Sequence, residues 1–112
     1  FVFLGSGFAS AIAQEAALKM RETAGVWAEA YAAPEYRHGP ISATSAQTLV
    51  WALGHIEPDV VDHVRETDAT FFATDLDAMA ELVRVHMQAG VEAAQRGRDI
   101  DAPPFLGRAV IL

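Results

Sequence analysis

Glu15, Lys19 and Glu22, followed by an isolated His38-Gly39-Pro40, are the residues of this chain best suited to chemistry. The first three are separated by four and three residues. At about 100° per residue, that spacing confines their side chains to one narrow stripe of a helix. A carboxylate, an ammonium and a second carboxylate then share one patch. His38 arrives from a loop sixteen residues after Glu22. Two acid/base groups and a cation in one site suit proton transfer on a sugar or another polyol. Taken singly, the stripe also reads as a solvated helix face with an i,i+4 ion pair, and His38 as a hydrogen-bonded loop residue. The rest of that helix is rich in alanine and carries Ile12, Leu18 and Met20, the pattern of a mostly buried element on which charges need a reason.

Short apolar runs alternate with amphipathic segments, the pattern of strands joined by crossover helices in a parallel sheet buried on both faces. The expected class is α/β. Phe1 to Leu4 reads as the first strand, closed by Gly5-Ser6-Gly7, and about Ala9 to Thr23 as the helix carrying the charged stripe, stopped near Gly25. Thr48 to Leu53 reads as a second strand ending at Gly54, with a helix from Pro58 to about Glu66. Ala69 to Ala73 is the expected third strand. The longest helix is expected from about Leu76 to Arg96, its apolar face made of Leu76, Met79, Leu82, Val83, Met87 and Val91, with Gly97 ending it. Roughly twenty residues from Val26 to Gln47 show no convincing period, far more than the about 2–6 that usually join such elements, so that segment reads as a functional loop. Trp27, Tyr31 and Tyr36 are expected to pack beneath it.

In an open parallel sheet, ligands bind beyond the carboxyl ends of the strands, where Gly5-Ser6-Gly7 and Gly54 belong. The His38 loop leaves from the other end of the charged helix, so it must fold back or serve a neighbouring subunit. Gly5-Ser6-Gly7 suits a phosphate cradle, or a tight turn required by sterics alone. A dinucleotide fingerprint is not expected, because Ser10 stands where the third glycine belongs and no acidic residue ends a strand about 20 residues on.

The 112 residues, 52% of them hydrophobic, suffice for one modest core. A net charge of −7 disfavours nucleic acid and anionic membranes as partners and leaves small molecules as the expected ligands. With no cysteine, disulfides, thiolate zinc sites and cysteine nucleophiles are excluded, and no histidine has a metal-ligand partner at useful spacing. No apolar run reaches the roughly 20 residues that span a bilayer, and the start lacks a signal peptide's basic region, so the cytoplasm is the default location. The chain opens directly on an apolar strand, which reads as a piece of a longer protein.

The stretch VFLGSG followed by AQEAALKMRETAGVWAEAYAAPEYRHGPI resembles the SIS (sugar isomerase) domain. In particular, it resembles the second such domain in the isomerase half of glucosamine-6-phosphate synthase. The matching motifs are Gly5/Gly7, Glu15 to Glu22, Ala28-Glu29-Ala30 and Glu35 to Pro40, ungapped over about 40 residues. Weaker similarity continues through TLVWALG to DIDAPPFLGRAVIL, which resembles that family's tail.

The resemblance implies a three-layer α/β/α, flavodoxin-like domain over residues 1–112, the C-terminal half of a two-SIS-domain protein, with 98–112 as its tail. It implies that Glu22 is the base moving a proton between C1 and C2 of an open-chain hexose 6-phosphate. His38 then assists ring opening, often from the neighbouring subunit, Lys19 belongs to the same site, and Glu15 orients it. Gly5, Ser6, Gly7 and Arg108 are the implied substrate contacts. Arg108 stands where the family's tail has an imine-forming lysine, and a guanidinium cannot form that imine. The implied protein is an isomerase, aminotransferase or deaminase of a sugar phosphate, without metal or cofactor, working with a preceding SIS domain as a homodimer. The alternative is a non-catalytic, sugar-phosphate-binding regulatory module.

Overall fold

The computed structural model describes residues 1–107, so Arg108 and the apolar end Ala109-Val110-Ile111-Leu112 lie outside the described residues. Four strands form one parallel sheet: β1 (Val2–Gly5), β2 (Glu29–Ala32), β3 (Leu49–Leu53) and β4 (Thr70–Phe72), in the order β2-β1-β3-β4. The connecting helices are α1 (Ala9–Lys19), α2 (Ala33–Tyr36) and α3 (Pro58–Arg65), and α4 (Ala78–Gln95) follows β4. The result is the expected three-layer α/β/α arrangement.

Side-chain alternation along the strands divides the core into two halves. Phe3, Trp51 and Leu53 point to the side covered by α1 and α4, where they meet Ala13, Ala16, Ala17, Val85, Ala89 and Ala93. Val2, Leu4, Val50 and Ala52 point the other way, onto Ala33 and Tyr36 of α2 and Val60 and Val64 of α3. The chain leaves β1 in one direction to β2 and reaches β3 on the other side. The carboxyl ends of β1 and β3 therefore flank the crevice where such sheets bind ligands.

Local chemistry sets the element ends. Gly25 adopts a left-handed conformation (φ 64°) and stops the first helix. Pro58 opens α3, and the Asp77 carboxylate caps α4 by accepting from the Met79 and Ala80 amides at 2.9 and 3.1 Å. Residues 98–107 form turns without helix or strand.

Two expectations are corrected. The Val26–Gln47 segment is not a structureless loop: it holds β2, α2 and a 3₁₀ turn at Pro40–Ala43. β2 reads EAYA, is half-buried along its whole length and lies at the sheet edge, so neither alternation nor a dense apolar run marks it. The strand expected second is accordingly β3, and the one expected third is β4. Tyr36 is buried, whereas Trp27 is 81% exposed rather than packed.

The second correction concerns α4. Of the apolar residues expected to face the core, only Leu82 is buried. Small side chains instead form the inner face, because Val85, Ala89 and Ala93 let α4 approach the alanine face of α1 closely, where longer ones would hold the helices apart.

Candidate active site

α1 turns its alanines inward and leaves Glu15, Lys19 and Glu22 together on its open side. The Lys19 Nζ lies 3.0 Å from Glu22 Oε2 and 3.4 Å from Glu15 Oε1. The hydrogen bond to Glu22 is the main reason that the Lys19 pKa is raised, opposed by partial desolvation and reinforced by Glu15. The side chains are 39%, 37% and 32% exposed, in sequence order, so water screens the pairs and they add at most a few tenths of a kcal/mol each. What they supply is geometry: an ammonium held between two carboxylates on a face open to a ligand.

Glu22 does not sit on regular α-helix. From Met20 to Ala24 the first helix continues as a π-helical turn, a rare geometry that concentrates at functional sites. Two hydrogen bonds pin this region to the sheet. Gln14 Nε2 donates to the Ala30 carbonyl (3.2 Å), and Arg21 Nη1 donates to the Ala28 carbonyl (2.6 Å). Beyond Gly25, the Arg98 guanidinium lies where a β-carbon on that residue would be, placing a cation over the helix's carbonyl end.

His38 is exposed, and its backbone amide donates to the Glu35 carbonyl at 3.0 Å. No hydrogen bond or ion pair joins it to the α1 carboxylates among the described residues. It follows α2, which begins at the carboxyl end of β2, whereas Glu22 precedes the amino end of that strand. The first helix, through Met20 and Ala24, packs on one face of the sheet and α2, through Tyr36, on the other, so the sheet lies between the two elements that carry Glu22 and His38 within one chain. Arg37 forms an ion pair with Asp59 of α3, which ties down the turn before His38.

At the crevice, Gly5-Ser6-Gly7 lies where the sequence places it, and its first glycine has a packing reason. A β-carbon on Gly5 would stand 2.1 Å from the Ala9 carbonyl oxygen, so only glycine lets α1 start this close to the strand end. Ser6 Oγ donates to Glu57 Oε2 at 2.6 Å across the crevice from the β3 side. That bond is the largest cause of a lowered Glu57 pKa, so the group is ionised at neutral pH. A carboxylate here opposes a phosphate and suits ligand hydroxyl or ammonium groups. Glu57 was missed in the sequence; its signal is its place just after Gly54 and before Pro58, at the end of the strand beside β1.

No cluster of three or more histidine, aspartate or glutamate side chains able to hold a metal ion occurs among the described residues, and none of the helices in that range is long and apolar enough to cross a membrane.

With this geometry established, comparison with known proteins decides the family. The model of the SIS domain matches residues 1–68. The chain belongs to the SIS domain family. Among curated relatives, glutamine–fructose-6-phosphate aminotransferase of Nostoc sp. is 29% identical over 139 aligned positions that take in 98% of this chain and 22% of that protein. The Synechocystis sp. protein of the same name is 39% identical over 72 residues, 62% of this chain and 11% of that one. Among solved structures, glucosamine-6-phosphate deaminase from Thermotoga maritima superimposes with a TM-score of 0.87 at 29% identity, covering 100% of this chain and 40% of that one. The C-terminal domain of glucosamine-fructose-6-phosphate aminotransferase from Francisella tularensis shares the fold, with a TM-score of 0.74 at 20% identity, covering 88% of this chain and 36% of that one. This SIS domain thus spans about a fifth of the Nostoc relative's length and two-fifths of the deaminase's. The Nostoc alignment is also longer than the 112 residues of this chain, so that relative carries segments this SIS domain lacks.

Proposed function

We propose that this SIS domain moves a proton between C1 and C2 of an open-chain hexose or amino-hexose 6-phosphate, as part of an isomerase, aminotransferase or deaminase. The observation that carries the reading is the Lys19 ammonium held between Glu15 and Glu22, with Glu22 on a π-helical turn.

In the ketose-to-aldose direction, Glu22 takes a proton from C1. The electron pair of that C–H bond forms the C1–C2 double bond, and the C2 carbonyl oxygen gains a proton, giving an enediol. Return of the proton to C2, with loss of the O1 proton, gives the aldose. Lys19 supplies positive charge beside the oxygen on which negative charge develops, and Glu15 orients it. His38 donates a proton to the ring oxygen during ring opening. Because the sheet separates His38 from Glu22 in one chain, it serves the site of a neighbouring subunit, which agrees with a cytoplasmic homodimer that also contains a preceding SIS domain.

Gly5, Ser6 and Gly7 lie at the opposite end of the first helix from Glu22, so, like His38, they contact a substrate whose reacting carbons face the carboxylates of another subunit or domain, and Arg108 of the tail contacts it too. Ser6 and Glu57 at the crevice suit its hydroxyl groups. The test is deuterium incorporation at C1 of fructose 6-phosphate and C2 of glucosamine 6-phosphate in heavy water, followed by NMR on full-length protein with and without ammonia. Exchange is expected, and ammonia dependence distinguishes nitrogen transfer from simple isomerisation. The separation of His38 from the carboxylates favours one second reading, a regulatory module that binds sugar phosphate without turning it over. Binding with no exchange would establish that reading instead.

A further inference from the structure

The last turn of the first helix, Met20–Ala24, carries Glu22 and is π-helical, a geometry that persists only where its surroundings hold it. Two of its supports come from the sheet and the core. Arg21 donates to the Ala28 carbonyl, and Met20 and Ala24 are buried in the cluster that contains Ala89 and Ala93 of α4. The third comes from the segment after α4. That helix ends on Gly97 in a left-handed conformation (φ 67°), the Gly97 amide donating to the Ala94 carbonyl (3.1 Å) and the Arg98 amide to the Ala93 carbonyl (2.9 Å). This paired closure fixes the direction in which Arg98 leaves α4. Its half-buried side chain crosses to the end of the first helix, where a β-carbon on Gly25 would overlap Nη2, Cζ and Nε alike. The whole guanidinium, and not just its tip, therefore covers the bare face of that glycine.

The other arginines among the described residues are engaged differently. Arg37, Arg65, Arg84 and Arg96 pair with carboxylates, and Arg21 bonds a backbone carbonyl. In a chain of net charge −7, a guanidinium turned onto a helix end needs a reason. The last carbonyls of a helix have no partner within it and form its negative end, so a cation there stabilises the turn that presents them. We propose that Arg98 is a positioning residue: seated on Gly25, it holds the π-helical turn so that Glu22 stays within hydrogen-bond reach of Lys19. Its charge and its packing both act on the end of that turn, three residues beyond Glu22. It acts through the turn and does not touch the substrate. Its effect on rate rests on the reading of Glu22 as the proton-transfer base, whereas its effect on geometry stands without that reading.

The test uses full-length protein carrying Arg98→Ala, Arg98→Lys, Gly25→Ala, or Gly25→Ala with Arg98→Ala. It reads the NMR titration of the Lys19 ammonium, assigned by its loss in Lys19→Arg, and the rate of deuterium exchange into fructose 6-phosphate. In Arg98→Ala, Lys19 is expected to titrate lower as its hydrogen bond to Glu22 loosens, and exchange to slow about 10- to 100-fold with KM within about twofold. Loss of a neighbouring positive charge by itself would shift Lys19 the other way, so the sign separates lost geometry from lost charge. Arg98→Lys, which keeps a cation over the carbonyls, should restore most of both. Gly25→Ala, which pushes the guanidinium off its seat, should give the same pair of changes, and the double variant no more than either single one. If Arg98→Ala does not fold, Arg98→Gln supplies the reading in its place. A Lys19 titration that stays put or moves up overturns the proposal, whatever happens to the unfolding midpoint, and so do strictly additive effects of the two substitutions. If wild-type protein shows no exchange, the proton-transfer reading fails, and the Lys19 titration alone decides whether Arg98 positions Glu22.

Discussion

α1 and α4 lie side by side on one face of the sheet and bury the same kind of surface, yet they show solvent opposite chemistries. Inward, α1 packs Ala13, Ala16 and Ala17, and α4 packs Val85, Ala89 and Ala93. Outward, α1 presents Glu15, Lys19 and Glu22, whereas α4 presents Met79, Val83, Met87 and Val91. The small inner residues bring both helices close to each other and to the sheet, which frees both outer faces from any role in the core. Each outer face can then be read for what it meets. Charges held in a fixed arrangement suit a small polar ligand, and an uncharged ridge suits another protein.

The sharpest way to break this comparison is to remove the base from the polar face. In full-length protein, Glu22→Gln is expected to cut deuterium exchange and turnover by about 10²–10⁴-fold while sugar-phosphate binding stays within a few-fold. Stability should barely move, because the lost ion pair is screened by water. Unchanged turnover would show that the α1 stripe is an ordinary solvated face. The same variant removes the main cause of the raised Lys19 pKa, so Lys19 should titrate closer to its ordinary 10.5 when followed by NMR. The sign is that of a raised group: its pairing stabilises the fold below about pH 10.5 and is lost as pH climbs through the folded value.

Next in size is the contrast between the two faces of α4. Val85 is fully buried, so Val85→Ala should cost about 2 kcal/mol in urea denaturation. Met87, two residues on and 69% exposed, should change monomer stability by less than about 0.5 kcal/mol when replaced by alanine. Equal costs would mean that the apolar pattern, and not the small residues, marks the inner face.

A third comparison sets α1 against its own end. Gly25 adopts φ 64°, and a β-carbon there would meet the Arg98 guanidinium at 2.2 Å. Gly25→Ala should cost about 1 kcal/mol from backbone strain, and more if Arg98 cannot move aside. An unchanged unfolding midpoint would remove this turn from the features that hold Glu22 in place.

These pairs also show what the sequence makes legible. β1 and β3 are dense apolar runs closed by glycine, and α1 has a regular charged stripe, so strong local signals reveal them. β2 escapes because EAYA at a sheet edge is held by backbone pairing to β1 more than by side-chain burial. The inner face of α4 is misread for a related reason: residue size, set by the alanines of a helix some seventy residues away, outweighs residue hydrophobicity. Of the candidate site, the grouping of Glu15, Lys19 and Glu22 on one face follows from spacing, whereas the roles proposed for them rest on the resemblance to the SIS domain. The position of His38 depends on β2 and the short helix after it, which no local pattern displays. Glu57 depends on a contact across two strands.

That last contact gives the smallest effect. Ser6 Oγ donates to Glu57 at 2.6 Å and lowers its pKa below the ordinary 4.5. A depressed carboxylate stabilises the fold above its ordinary pKa, and the contribution fades as pH falls through the lower folded value. Ser6→Ala should therefore raise the Glu57 pKa towards 4.5, read by the carboxyl carbon shift in an NMR titration, and trim stability slightly at neutral pH but not in strong acid. The polar α1 face should be unaffected, because Lys19 and its partners lie more than two helical turns further along. If Ser6→Ala altered the Lys19 titration as well, the crevice and the stripe would be one coupled site. If Glu57 kept its low pKa, His55 and the backbone would be holding the charge, and Ser6 would be free to donate to a ligand.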